Sequence, residues 1–165
     1  MPDYSILADA LVASLNPVVM FNEHATISHL NEARVAIEMA TAGQAARKRG
    51  CDDLMALHEL FENFVNIASN PDSTRSEFVE ADEKLHLGIA RIAGNPVLYN
   101  ILKALLALLR VQRVSTVQSN VVNTKTVETH SSIYEAIHTG NPDGAREAMR
   151  AHLVDMLHMI AEENS

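Results

Sequence analysis

The chain has 165 residues, a formal net charge of −8 and one cysteine, Cys51, which excludes an internal disulfide and fits a reducing, cytoplasmic setting. It holds no run of about 18 apolar residues, so no membrane span is expected, and the start "MPDYSILADALV" lacks a signal-peptide pattern. The acidic balance argues against nucleic-acid binding by this chain, because only two small basic clusters exist: Arg47, Lys48 and Arg49, and the pair Arg110 and Arg113.

Scarce glycine, no strand-like alternation, and plentiful Ala, Leu, Glu and Met predict helices throughout. The first spans about Asp3 to Leu15 and ends before "NPVV", with a loop or short turn at "MFNEH". A long second helix, about Ala25 to Arg49, turns Leu30, Ala33, Ile37, Ala40 and Ala45 inward and stops at Gly50. The third, Asp52 to Ser69, carries Leu54, Leu57, Phe61, Phe64 and Val65. The fourth starts in "DSTRSE", where Thr74 and Glu77 have capping-box spacing, and ends at Gly94.

The fifth helix opens with Asn95 as N-cap and Pro96 as first helical residue, and runs apolar nearly all round to Val117. Such a helix belongs in a bundle centre or a subunit interface. The sixth covers about Thr124 to Thr139 and stops at Gly140. The seventh reuses the Asn-Pro start at Asn141 and Pro142 and runs to Glu162. With no linker or repeat, residues 1–165 read as one all-α domain, an antiparallel bundle of six to seven helices.

Polar residues interrupt the apolar stripes at four places. Asp82 and His86 stand one turn apart, beside Phe78, Leu85, Ile89 and Ile92. His130 is in line with Val127, Ile133 and Ile137, and His152 with Ala145, Ala148, Met149, Met156 and Met159. A lone histidine of this kind is usually a satisfied core residue. Three histidines and an aspartate directed inward from three helices are also what one metal ion needs, and a buried carboxylate requires a partner. His24, His29, His58, His138 and His158 read as surface residues.

Two stretches, "EADEKLHLGIARIAGNPVL" and "THSSIYEAIHTGNPDGAREAMRAHL", resemble the C-terminal effector domain of GntR-type regulators of the FadR branch, the FCD domain. The shared pattern is Asp82, His86, Asn95, His130, the pair Ala136-Ile137, Gly140 and His152 in order, with Arg34 and Glu38 as the family's Arg-x-x-x-Glu helix. The resemblance spans about Asn31 to Leu153, and departs at Leu85, where many relatives have Phe. It implies that Asp82, His86, His130 and His152 ligate one divalent ion, with zinc, nickel and manganese all compatible. It also implies a homodimer, consistent with the apolar helix from Leu98 to Val117, and DNA contact only through a winged-helix domain that this sequence does not include.

An open position on such an ion attracts a small carboxylate effector, which the planar fork of Arg34 is suited to grip. The plainer role of Arg34 is an ion pair with Glu38. Two other readings compete with the sensor. Glu83 and His86 form one Glu-x-x-His, and Asp155 and His158 an Asp-x-x-His, the raw material of a di-iron bundle enzyme. A metal-free interaction bundle with merely hydrogen-bonded histidines is the other.

Overall fold

The computed structural model describes residues 5–21, 23–116 and 124–163, and the side chains of 6–17, 27–115 and 125–157. Seven helices and no strand occupy the described residues: α1 (Ser5–Phe21), α2 (Glu23–Lys48), α3 (Cys51–Ser69), α4 (Arg75–Ile92), α5 (Pro96–Thr116), α6 (Thr124–His138) and α7 (Pro142–Glu163). The last residues expected in helix at Asp3 and Val117 lie outside that set.

Side-chain caps mark the helix starts that the sequence announces. Glu77 N–H donates to Thr74 Oγ1 at 3.2 Å, and Thr74 N–H donates to Glu77 Oε2 at 2.8 Å. Such a cap contributes about 1 kcal/mol. Asn95 Oδ1 accepts from the N–H groups of Val97 and Leu98, and Asn141 Oδ1 from that of Gly144. The turns after α4 and α6 need positive φ, at Gly94 (65°) and Gly140 (72°), where a side chain would clash with its own backbone.

Helix α1 departs from expectation by continuing through Pro17 to Phe21. Proline removes one helical N–H, but Pro17 faces solvent, where water satisfies the carbonyl left behind. Most of "MFNEH" is therefore helical: Met20 and Phe21 end α1, and Glu23 and His24 begin α2, while Asn22 lies outside the described residues.

The central helix is α2, which packs against α7, α4, α5, α6 and α1. Its inward face holds Asn31, Arg34, Glu38 and Thr41, all buried, together with Leu30, Ala42, Ala45 and Ala46. Ala33, expected inward, faces solvent, because the buried stripe turns toward Arg34 instead. Helix α5 buries Leu102, Leu105, Leu106 and Leu109 against α1, α4 and α2. Lys103, Ala107, Val111 and Ser115 form an exposed row along it. The main core joins Leu57 and Phe64 of α3, Leu85 and Ile89 of α4, Ile133 and Ile137 of α6, and Met149 and Leu153 of α7.

The first basic cluster is a structural clamp. Lys48 Nζ donates to Ala93 O at 2.6 Å, beyond the end of α4, and Arg49 Nε donates to His138 O at 3.2 Å, at the end of α6. Both cations meet carbonyls at the negative ends of helix dipoles.

Candidate metal centre

Four buried side chains converge between α4, α6 and α7. One donor atom from each of Asp82, His86, His130 and His152 lies within 4.8 Å of all the others. His130 Nε2 is 3.0 Å from Asp82 Oδ1, His86 Nε2 is 3.3 Å from His130 Nε2, and His86 Nε2 is 3.6 Å from Asp82 Oδ1. Two ligands on one ion, each bonded at about 2.1 Å, stand roughly 3.0–3.4 Å apart.

The position of each side chain follows from its helix. One turn of α4 stacks Asp82 under His86. His130 occupies the same buried stripe of α6 as Ile133 and Ile137, and His152 precedes Leu153 on the buried side of α7. Phe64 of α3 packs on the His130 ring at a centroid distance of 4.3 Å and shuts one side of the cluster.

The opposite ring nitrogen of every histidine is committed. His86 Nδ1 pairs with Glu38 Oε2, whose other oxygen is held by Arg34 Nε. His130 Nδ1 donates to Thr126 O at 2.8 Å. Thr129 Oγ1 donates to that same carbonyl at 3.0 Å and so accepts from His152 Nδ1 at 3.0 Å. A carbonyl can only accept, so these bonds fix the proton on Nδ1 and direct the Nε2 lone pairs of His130 and His152 inward. This is the arrangement by which proteins orient metal-bound imidazoles. Among the described residues, the buried His152 Nε2 has no hydrogen-bond partner, an orphaned acceptor that a cation would satisfy.

Without a cation, protons take over part of this role. Burial opposes a charge on His86, but the Glu38 and Asp82 carboxylates outweigh it and raise its pKa to about 9. Burial likewise opposes ionised Glu38, yet Arg34 and His86 hold its pKa at about 2. Asp82 stays well below the usual carboxylate range because His86 and Arg113 overcome its burial. His152 goes the other way: burial first, then the neighbouring His130 and His86, keep it neutral.

Arg34 is fully buried, with Nη1 at 3.7 Å from Met156 Sδ and Nη2 without a partner among the described residues. Met156 stands one turn after His152, so the guanidinium lies beside the cluster. The ion pair between Arg34 and Glu38 is therefore present, and one donor remains over. Among the histidines set aside as surface residues, His29, His58 and His138 are exposed; the side chains of His24 and His158 lie outside the described residues. Glu83 turns from the histidines toward Arg110 and Arg113.

Sequence reasoning missed four participants: Glu38 as partner of His86, Thr126, Thr129, and Arg113 as partner of Asp82. Arg34-x-x-x-Glu38 was visible as a pair, but nothing in its spacing pointed across to α4. The threonine contacts use a backbone carbonyl and a hydroxyl, which leave no residue-type signature.

Comparison with known proteins agrees with this architecture. Residues 29–155 match the model of the FCD domain family. The chain is 34% identical over 128 residues to an Escherichia coli K12 protein described as the regulatory protein of an L-lactate dehydrogenase operon, covering 74% of this chain and 46% of that protein. It is 28% identical over 150 residues to the transcriptional repressor NanR of Cronobacter sakazakii, covering 88% and 56%. It is 30% identical over 123 residues to the galactonate operon transcriptional repressor of Escherichia coli K12, covering 74% and 52%. The chain thus spans about half the length of these curated relatives, which are regulators of transcription rather than enzymes. The solved structure of Escherichia coli McbR/YncC shares the fold, with a TM-score of 0.77 at 14% identity, covering 86% of this chain and 67% of that one. The chain belongs to the FCD domain family, the helical effector domain of GntR-type transcriptional regulators.

Proposed function

We propose that this domain senses a small carboxylate through one divalent ion held by Asp82, His86, His130 and His152, and that it dimerises and passes the signal to an attached winged-helix domain that binds DNA. The observation that carries the reading is the convergence of one donor atom from each of three histidines and Asp82, with the Nδ1 of each of these histidines already engaged. Zinc, nickel and manganese all accept this nitrogen-rich donor set. When bound, such an ion supplies a Lewis-acidic position that a carboxylate oxygen fills.

The chain's own residues would do the rest. Glu38, Thr126 and Thr129 orient the rings. Arg34 Nη2, buried and lacking a partner, offers a charge-assisted hydrogen bond to the effector carboxylate. Two relatives bear the names of operons for L-lactate and galactonate, which favours a hydroxycarboxylate as effector. Val111, 83% exposed on α5, supports a subunit contact on that helix. The domain would work in the cytoplasm, where regulators meet DNA.

Elemental analysis of the purified chain beside His130→Ala tests the reading, with melting curves before and after chelation. The expected result is about one divalent ion per chain, lost in the variant, and a lower melting point after chelation. No bound ion, no uptake of added zinc, nickel or manganese, and an unmoved melting point would leave a metal-free interaction bundle instead. Sedimentation at 18.1 kDa, the mass of one chain, would remove the dimer.

A further inference from the structure

Asp82 presents two oxygens to two different environments. Oδ1 faces His130 and His86, while Oδ2 is paired with Nη2 of Arg113, a buried residue near the end of α5. Arg113 is itself held in place, since its Nη1 lies 3.3 Å from Glu83 Oε1, and Arg110 Nη1 pairs with Glu83 Oε2. The guanidinium therefore has a hold on α4 besides Asp82.

We propose that Arg113 is a positioning residue that restricts Asp82 to ligation through one oxygen and moderates how tightly the ion is held. This inference rests on the metal reading above and adds a coordination mode to it. A carboxylate with both oxygens free tends to close on a dication through both. Here the second oxygen is taken by a fixed cation, so the protein donates four atoms, not five, and the remaining space around the ion stays available to a carboxylate from outside. The same guanidinium places a positive charge next to a site for a dication, and like charges in a buried setting repel strongly. Removing it should strengthen ion binding. If Arg113 merely braced the fold, its removal would loosen Asp82 and weaken ion binding.

Cobalt(II) separates these outcomes, because its visible absorption weakens as the number of ligands rises. The 165-residue chain and its Arg113→Met variant are freed of metal and titrated with cobalt(II) in competition with a chelator. The expected result is one ion in each, held about ten-fold more tightly by the variant, with weaker visible absorption as Oδ2 joins the shell. Unchanged absorption, or looser binding, overturns the inference and leaves the metal reading intact. Should Arg113→Met fail to fold, Arg113→Gln keeps a neutral donor for Oδ2; it should bind cobalt(II) more tightly with the absorption of the unaltered chain, and equal or weaker binding overturns the inference. An unaltered chain that takes up no cobalt(II) removes the metal reading itself.

Discussion

Glu38 of α2 and His86 of α4 form a fully buried ion pair, with Arg34 closing the far side of the carboxylate. The pair joins the central helix to the helix that supplies two of the four converging donors. Replacing Glu38 with Gln keeps the shape but removes the charge that orients the imidazole. Loss of such an outer partner typically weakens metal binding about 10–100-fold. Competition against a chelator should show a loss of that size for Glu38→Gln. Equal affinity would mean that packing alone orients His86.

The raised pKa of His86 sets a pH dependence with a definite sign. A proton on Nε2 must leave before that nitrogen can ligate, so ion uptake should strengthen as pH rises toward about 9 and release a proton near neutrality. Calorimetry in buffers of different ionisation enthalpy reads that proton. In the metal-free chain the linkage runs the opposite way. His86 binds its proton more tightly folded than unfolded, so its contribution to stability is complete below its ordinary 6.5 and is lost as pH rises through about 9. The melting point of the metal-free chain should fall across that window, and a flat profile would show that His86 is not the protonated partner of Glu38.

The sequence made the helices legible because their ends carry explicit chemistry: Thr74 with Glu77, Asn95 with Pro96, and glycines at 94 and 140. It also made the four converging donors legible, since each breaks an apolar stripe at helical spacing. The central place of α2 was hidden by the very residues that matter. Arg34 and Glu38 lie on its buried face and blur the apolar pattern that normally marks such a face, whereas α5, apolar nearly all round, leaves the row through Val111 exposed. Arg113 looked like half of a basic cluster because its partners, Asp82 and Glu83, are distant in sequence and meet it only after α4 and α5 pack.

Arg34 offers a way to part effector binding from ion binding. Truncation to Ala would strand Glu38 with one partner and cost roughly 3–5 kcal/mol, which confuses folding with function. Arg34→Lys retains a cation for Glu38 but lacks the planar fork and its spare Nη2 donor. Binding of a hydroxycarboxylate such as lactate to the zinc-loaded chain should then weaken about ten-fold, the value of one charge-assisted hydrogen bond, while zinc affinity changes little. Parallel losses in both would assign Arg34 to the support of Glu38 alone.

The count of ions separates the sensor from a di-iron enzyme. A di-iron bundle needs carboxylates from several helices around two ions. Glu83, the glutamate of the one Glu-x-x-His, is instead engaged by Arg110 and Arg113, and Asp155 pairs with Lys125 at 3.1 Å. Among the described residues, neither carboxylate joins a second group of converging donors. Glu83→Gln should therefore leave one ion per chain by elemental analysis, because the amide oxygen still accepts from Arg113 and Asp82 keeps its orientation. Two irons per unaltered chain, falling to one in Glu83→Gln, would overturn the sensor and make the bundle an oxidase-like enzyme.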